Sequence, residues 1–73
     1  MKNIKDSVAE NVAFFMKKQG MTASELQLLT NFGTNTIGMI LSGKSTRGIT
    51  IATLQTLSIA LNVEPGDLVD DWQ

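Results

Sequence analysis

Apolar residues in this chain return every three or four positions, and each series is closed by a residue that tolerates a left-handed backbone. Val8, Val12, Phe15 and Met16 form the first series, Leu26 and Leu29 the second, Ile37, Ile40 and Leu41 the third, and Leu54, Leu57 and Leu61 the fourth. This spacing puts each set on one face of an α-helix. Gly20, Asn31, Gly43 and Asn62 follow the segments, and both residue types accept the positive φ with which helices commonly end. The pattern predicts helices over 7–19, 23–30, 34–42, 51–61 and 65–70. Ile49-Thr50-Ile51 alternates like a strand but has no second alternating run to pair with. The expected fold is all-α.

Start signals agree with the stops. A hydrophobic staple joins the residue before an N-cap to the fourth helical residue. It recurs as Met21 with Leu26, Phe32 with Ile37, Ile49 with Leu54, and Val63 with Leu68, which makes Thr22, Gly33, Thr50 and Glu64 the caps. Thr22-Ala23-Ser24-Glu25 and Ser7-Val8-Ala9-Glu10 also fit the capping box, so Ser7 reads as the first cap. Pro65 suits a first helical position, where its missing N–H costs little. Only Asn31-Phe32-Gly33 separates the second and third helices; a turn this tight makes them cross steeply, with Phe32 folded inward. The longest connection, Gly43 to Thr50, carries Lys44 and Arg47.

Composition bounds the chemistry. Seventy-three residues, 42% of them hydrophobic, suffice for one small core, so 1–73 reads as a single domain with a core from 7 to 70. The chain contains neither cysteine nor histidine, which removes disulfides, thiolate metal sites and the commonest general base. No nucleophile–base set can be assembled, and the expectation is no enzyme, no cofactor and no metal. No apolar run approaches the roughly 18 residues of a membrane span, and residues 1–6 lack a secretory apolar stretch. A cytoplasmic, membrane-free protein is expected.

The formal charge of −1 conceals an asymmetry. Residues 1–63 hold six basic residues against three acidic, a balance of +3, whereas 64–73 hold Glu64, Asp67, Asp70 and Asp71 with no base, a balance of −4. A partner responds to the field within about 8–10 Å rather than to the sum. A basic body with an acidic end is compatible with nucleic acid bound through the body.

In this order and spacing, Gly20-Met21-Thr22, Glu25-Leu26, Asn31-Phe32-Gly33, Thr36-Ile37, Ile40, Ser42-Gly43-Lys44, Thr53-Leu54, Ala60-Leu61-Asn62-Val63, Pro65 and Asp67-Leu68 resemble the Cro/repressor-type helix-turn-helix family of bacterial and phage DNA-binding regulators. The likeness spans about residues 8–69. It implies a five-helix, lambda-repressor-like domain with the helix-turn-helix formed by helices two and three. Departures are visible. Ala23 stands where the family frequently places a glutamine that touches a phosphate and braces the reading helix. Asn31 replaces a common turn glycine. Met16 and Leu41 stand where many members pair an arginine with a glutamate, a double change expected to bring two apolar side chains together.

The resemblance implies that the third helix lies in the major groove, with Thr34, Asn35, Thr36, Gly38 and Met39 outward and Ile37, Ile40 and Leu41 inward. Asn35 suits adenine N6/N7, threonine methyls suit the thymine methyl, and Met39 offers apolar contact. Thr22, Ser24, Ser42, Lys44 and Arg47 are the expected phosphate contacts, which position without specifying sequence. Helix 34–42 carries no charge, so one domain alone should bind weakly and duplicated contacts in a homodimer should compensate. Leu68, Val69, Trp72 and Phe14 are the expected self-association residues. The functional expectation is sequence-specific binding of a double-stranded operator by a small transcriptional repressor. The alternative is a protein-interaction module or antitoxin-like component on the same fold.

Overall fold

The computed structural model describes residues 4–43 and 50–70. These form α1 (Ile4–Gln19), α2 (Ala23–Thr30), α3 (Thr34–Ser42), α4 (Ile51–Leu61) and α5 (Pro65–Val69), with no strand among them. The five-helix, all-α architecture is the one expected, and Thr50 serves as the cap of α4 rather than as part of a strand.

Each internal boundary has a local cause. Thr22 Oγ1 accepts the Glu25 amide at 3.1 Å while Glu25 Oε1 accepts the Thr22 amide at 3.0 Å, a complete capping box. Thr50 Oγ1 likewise accepts the Thr53 amide at 3.1 Å. The Glu64 amide donates to Asp67 Oδ2 at 3.2 Å ahead of Pro65. Helices α2, α3 and α4 end on Asn31 (φ 59), Gly43 (φ 72) and Asn62 (φ 58), and Gly20 (φ 66) follows α1. All four predicted stops adopt the left-handed conformation.

Two local expectations are corrected. Helix α1 is already formed at Ile4, so Ser7 lies within it and is buried rather than capping it. Leu29 does not join the inner face of α2; it is exposed, and Thr30 takes the inward place. Threonine can do so because its hydroxyl donates to the Leu26 carbonyl at 2.8 Å and accepts the Phe32 amide at 3.3 Å, so nothing polar is left unsatisfied.

The core is built from Val8, Val12 and Met16 of α1, Leu26 of α2, Ile37 and Ile40 of α3, Leu57 and Leu61 of α4, and Leu68 of α5. Met21, Phe32 and Val63, the outer members of three staples, pack against it from the connections, and Leu41 packs against it from α3. Met16 is buried. Helix α3 packs on α1 and α2, while α4 packs on α1, α2 and α5. The third helix therefore sits at one side of the molecule, with its outer face uncovered by any other described helix.

Two side-chain amides, Asn11 buried and Gln19 exposed, tie the distant helices together. Asn11 is 2% exposed, and its Nδ2 donates to the Leu68 and Asp70 carbonyls at 2.9 and 2.8 Å. Gln19 Nε2 donates to the Leu61 carbonyl at 2.6 Å. All three bonds satisfy carbonyls at helix ends, where no intrahelical partner remains.

Candidate nucleic-acid interface

The surface of α3 follows from its sequence. Ile37 and Ile40 point into the core and Leu41 is half-buried, so the remaining positions must face away. Thr34, Asn35, Thr36, Gly38, Met39 and Ser42 are all exposed, and none carries a charge. The helix presents hydroxyls, one carboxamide and one thioether. Those groups can hydrogen-bond or touch base edges but cannot neutralise phosphate.

The start of α3 differs from those of α2 and α4. Gly33 is its N-cap and makes no side-chain capping bond, whereas threonine caps both neighbours. The first amides of α3 are thus left to external acceptors, at the positive end of the helix dipole. Beside them, Thr34 Oγ1 lies 3.3 Å from Gln27 Oε1 of α2 and donates to it. Asn35 and Thr36 follow on the exposed side.

Gly38 occupies the middle of this surface. A Cβ built there would meet nothing within 4 Å. The fold itself therefore places no steric demand for glycine at this position. Met39 is 38% exposed and adds an adaptable apolar side chain to this surface.

The expected phosphate contacts divide into three groups. Thr22 and Ser24 are exposed at the start of α2. There the Thr22 oxygen is engaged with the Glu25 amide, and the Glu25 carboxylate adds a negative charge to the helix start. Ser42 is exposed at the end of α3, with its hydroxyl donated to the Met39 carbonyl at 3.2 Å, so donation to a phosphate requires that bond to be exchanged. Lys44 and Arg47 lie outside the described residues.

A family model describing the Cro/C1-type HTH DNA-binding domain matches residues 11–71, most of the chain and all of α2 to α5. The chain belongs to that family. No curated protein and no solved structure matches it. The match covers both helices of the helix-turn-helix, with the uncharged α3 in the second position. This Cro/C1-type domain is a DNA-binding module of a kind that is typically non-enzymatic. No helix of the described residues is long and apolar enough to cross a membrane.

The expected self-association surface requires correction. Leu68 is 0% exposed, held in the domain's own core by the Asn11 bonds at the end of α5, so it cannot meet a second copy. Val69 is half-buried against the same core, Phe14 is 39% exposed, and Trp72 lies outside the described residues. Sequence reading missed exposed apolar residues elsewhere. Leu28 on α2 is 83% exposed, and Ile51 and Ile59 on α4 are 75% and 80% exposed. Ile51, Gln55 and Ile59 recur at intervals of four on a helix that contains no charged residue. The available signal was that charge-free run, in which Ile51 and Ile59 stand outside the Leu54, Leu57 and Leu61 series.

Gln27 was missed as well. It is polar and lies in a position that periodicity assigns to neither face. Its role emerges only when α3 folds back against α2.

Proposed function

We propose that this Cro/C1-type domain is a sequence-specific transcriptional repressor of a bacterium or phage, acting in the cytoplasm by occupying a double-stranded operator. Helix α3 enters the major groove, and Thr34, Asn35, Thr36, Gly38 and Met39 meet the base edges. The supporting observation is that α3 leaves these five positions exposed while Ile37 and Ile40 anchor the opposite face. The anchoring makes the outer face a rigid, preset surface for the groove.

Phosphate contacts in this reading come from Thr22, Ser24, Ser42, Lys44 and Arg47. Because the reading helix is neutral, few counterions are released per domain and the salt dependence is shallow. A homodimer on a two-fold operator supplies the missing affinity. Of the residues first assigned to that dimer, Phe14 keeps an accessible ring, and the charge-free outer stripe of α4 adds Ile51 and Ile59.

Selection of bound fragments from a genomic DNA library with the purified domain tests this reading. A recurring two-fold sequence, bound with a shallow loss of affinity as salt rises, is the expected result. Absence of any enriched sequence, together with a protein partner retained at high salt, would overturn it in favour of a protein-interaction module.

A further inference from the structure

Gln27 contacts both sides of the turn between α2 and α3. Its backbone carbonyl accepts the Asn31 amide at 2.8 Å, closing α2, and its side-chain Oε1 accepts the Thr34 hydroxyl at 3.3 Å, at the opening of α3. The second bond is long for a hydroxyl donor, but it is a side-chain link between the two helices at the first residue of the reading helix. Gln27 is half-buried. Among the described residues its Nε2 makes no bond, and no buried side-chain nitrogen or oxygen there lacks a partner. That nitrogen therefore reaches solvent, beside exposed Thr34.

The bond has a chemical consequence. A free threonine hydroxyl rotates and can donate or accept, so by itself it discriminates poorly between base edges. Once its hydrogen is committed to Gln27, the oxygen has only lone pairs to offer. The major-groove groups that match an acceptor are the N6 amino group of adenine and the N4 amino group of cytosine; guanine O6, thymine O4 and the purine N7 atoms do not match. Nε2 of Gln27, held by the same bond, offers its hydrogens to an acceptor next to that base, including a phosphate oxygen.

Resting on the DNA-binding reading above, we propose that Gln27 is a positioning residue that sets the specificity of Thr34, converting its hydroxyl into an acceptor that selects an amino-bearing base. Gln27 thereby acts on sequence preference from outside the reading helix.

The test measures affinity for the sequence selected by the wild-type domain and for its single-base-pair variants. Four proteins are needed beside the wild type: Gln27→Ala, Gln27→Glu, Thr34→Val and the double variant Gln27→Ala/Thr34→Val. Thr34→Val and Gln27→Ala are expected to relax preference at the same base pair, each by about three- to tenfold, the effect of one hydrogen bond. The double variant is expected to lose no more discrimination than either single one. Gln27→Glu keeps the acceptor for Thr34, so it retains that preference while weakening all sequences alike through its negative charge.

Thermal melting of each variant checks that the fold is retained. Relaxation at two different base pairs, additive losses in the double variant, or an effect of Gln27→Ala that is equal on every sequence would overturn the inference alone. Failure of the wild-type domain to select any sequence would overturn the DNA-binding reading first.

Discussion

The side-chain amide of Asn11 donates to the main-chain carbonyl of Leu68 at 2.9 Å, joining residues 57 positions apart. It fastens a helix of five residues, too short to persist alone, to the longest helix of the domain. The second Nδ2 hydrogen goes to the Asp70 carbonyl at 2.8 Å, so both donors are spent on the end of α5.

Replacement Asn11→Ala leaves the Leu68 carbonyl in a buried site, and the Asp70 carbonyl in a part-buried one, without their donor. The expected cost is about 1–3 kcal/mol. In a domain of this size, each kcal/mol lowers the melting temperature by roughly 4–8 °C. Calorimetry or thermal circular dichroism measures the change; a melting temperature equal to wild type would show that the amide contributes nothing to docking α5.

At Gly38 the fold and the proposed interface make opposite demands. Because a Cβ there meets open space, Gly38→Ala should raise helix stability by up to about 1 kcal/mol. The same methyl would stand between α3 and the groove. Reduced operator affinity in a domain with a raised melting temperature is the expected pair of results. Unchanged affinity would remove Gly38 from the DNA-facing set.

Asn35 and Lys44 should separate base reading from backbone attachment. Asn35→Ala is expected to relax preference at one base pair by about 1–3 kcal/mol, the worth of a bidentate contact to adenine. Lys44→Ala should weaken every sequence similarly and reduce the salt slope by about one. Equal effects of the two substitutions across a panel of operator variants would contradict these roles.

Self-association is expected to depend on the outer face of α4 and not on Leu68. Ile59→Lys should convert a dimer seen by sedimentation at micromolar concentration into a monomer with an unaltered melting temperature, since Ile59 is 80% exposed and supports little of the core. Leu68→Ala should instead lower the melting temperature, because a fully buried leucine costs about 2–5 kcal/mol to truncate. A wild-type domain that sediments as a monomer with and without operator DNA would end the dimer proposal.

Much of the fold is legible along the chain because its determinants are local. A cap bonds an amide three residues on, and a left-handed stop concerns one residue, so Thr22, Thr50, Asn31, Gly43 and Asn62 announce themselves without tertiary knowledge. The outer face of α3 is legible for the same reason: Ile37 and Ile40 set its rotation, and the rest follows from 3.6 residues per turn. Leu29 and Thr30 show where this reasoning stops. Hydropathy favours the leucine inside, but Thr30 satisfies its hydroxyl within its own helix and at the Phe32 amide, so burial costs it little.

Residue order alone announces the ends of α2, α3 and α4, the free face of α3 and membership of a DNA-binding family, but not the start of α1, which lies three residues ahead of its expected cap. Those properties depend on neighbours within about one helical turn, or on a pattern of residues in fixed order. Tertiary structure alone decided that Asn11 anchors α5, that Leu68 is sealed in the core, that Ile51 and Ile59 stay in water, and that Gln27 meets Thr34. Each of these depends on which helix lies against which, and that packing arises from the whole core closing at once, through contacts that no local spacing records.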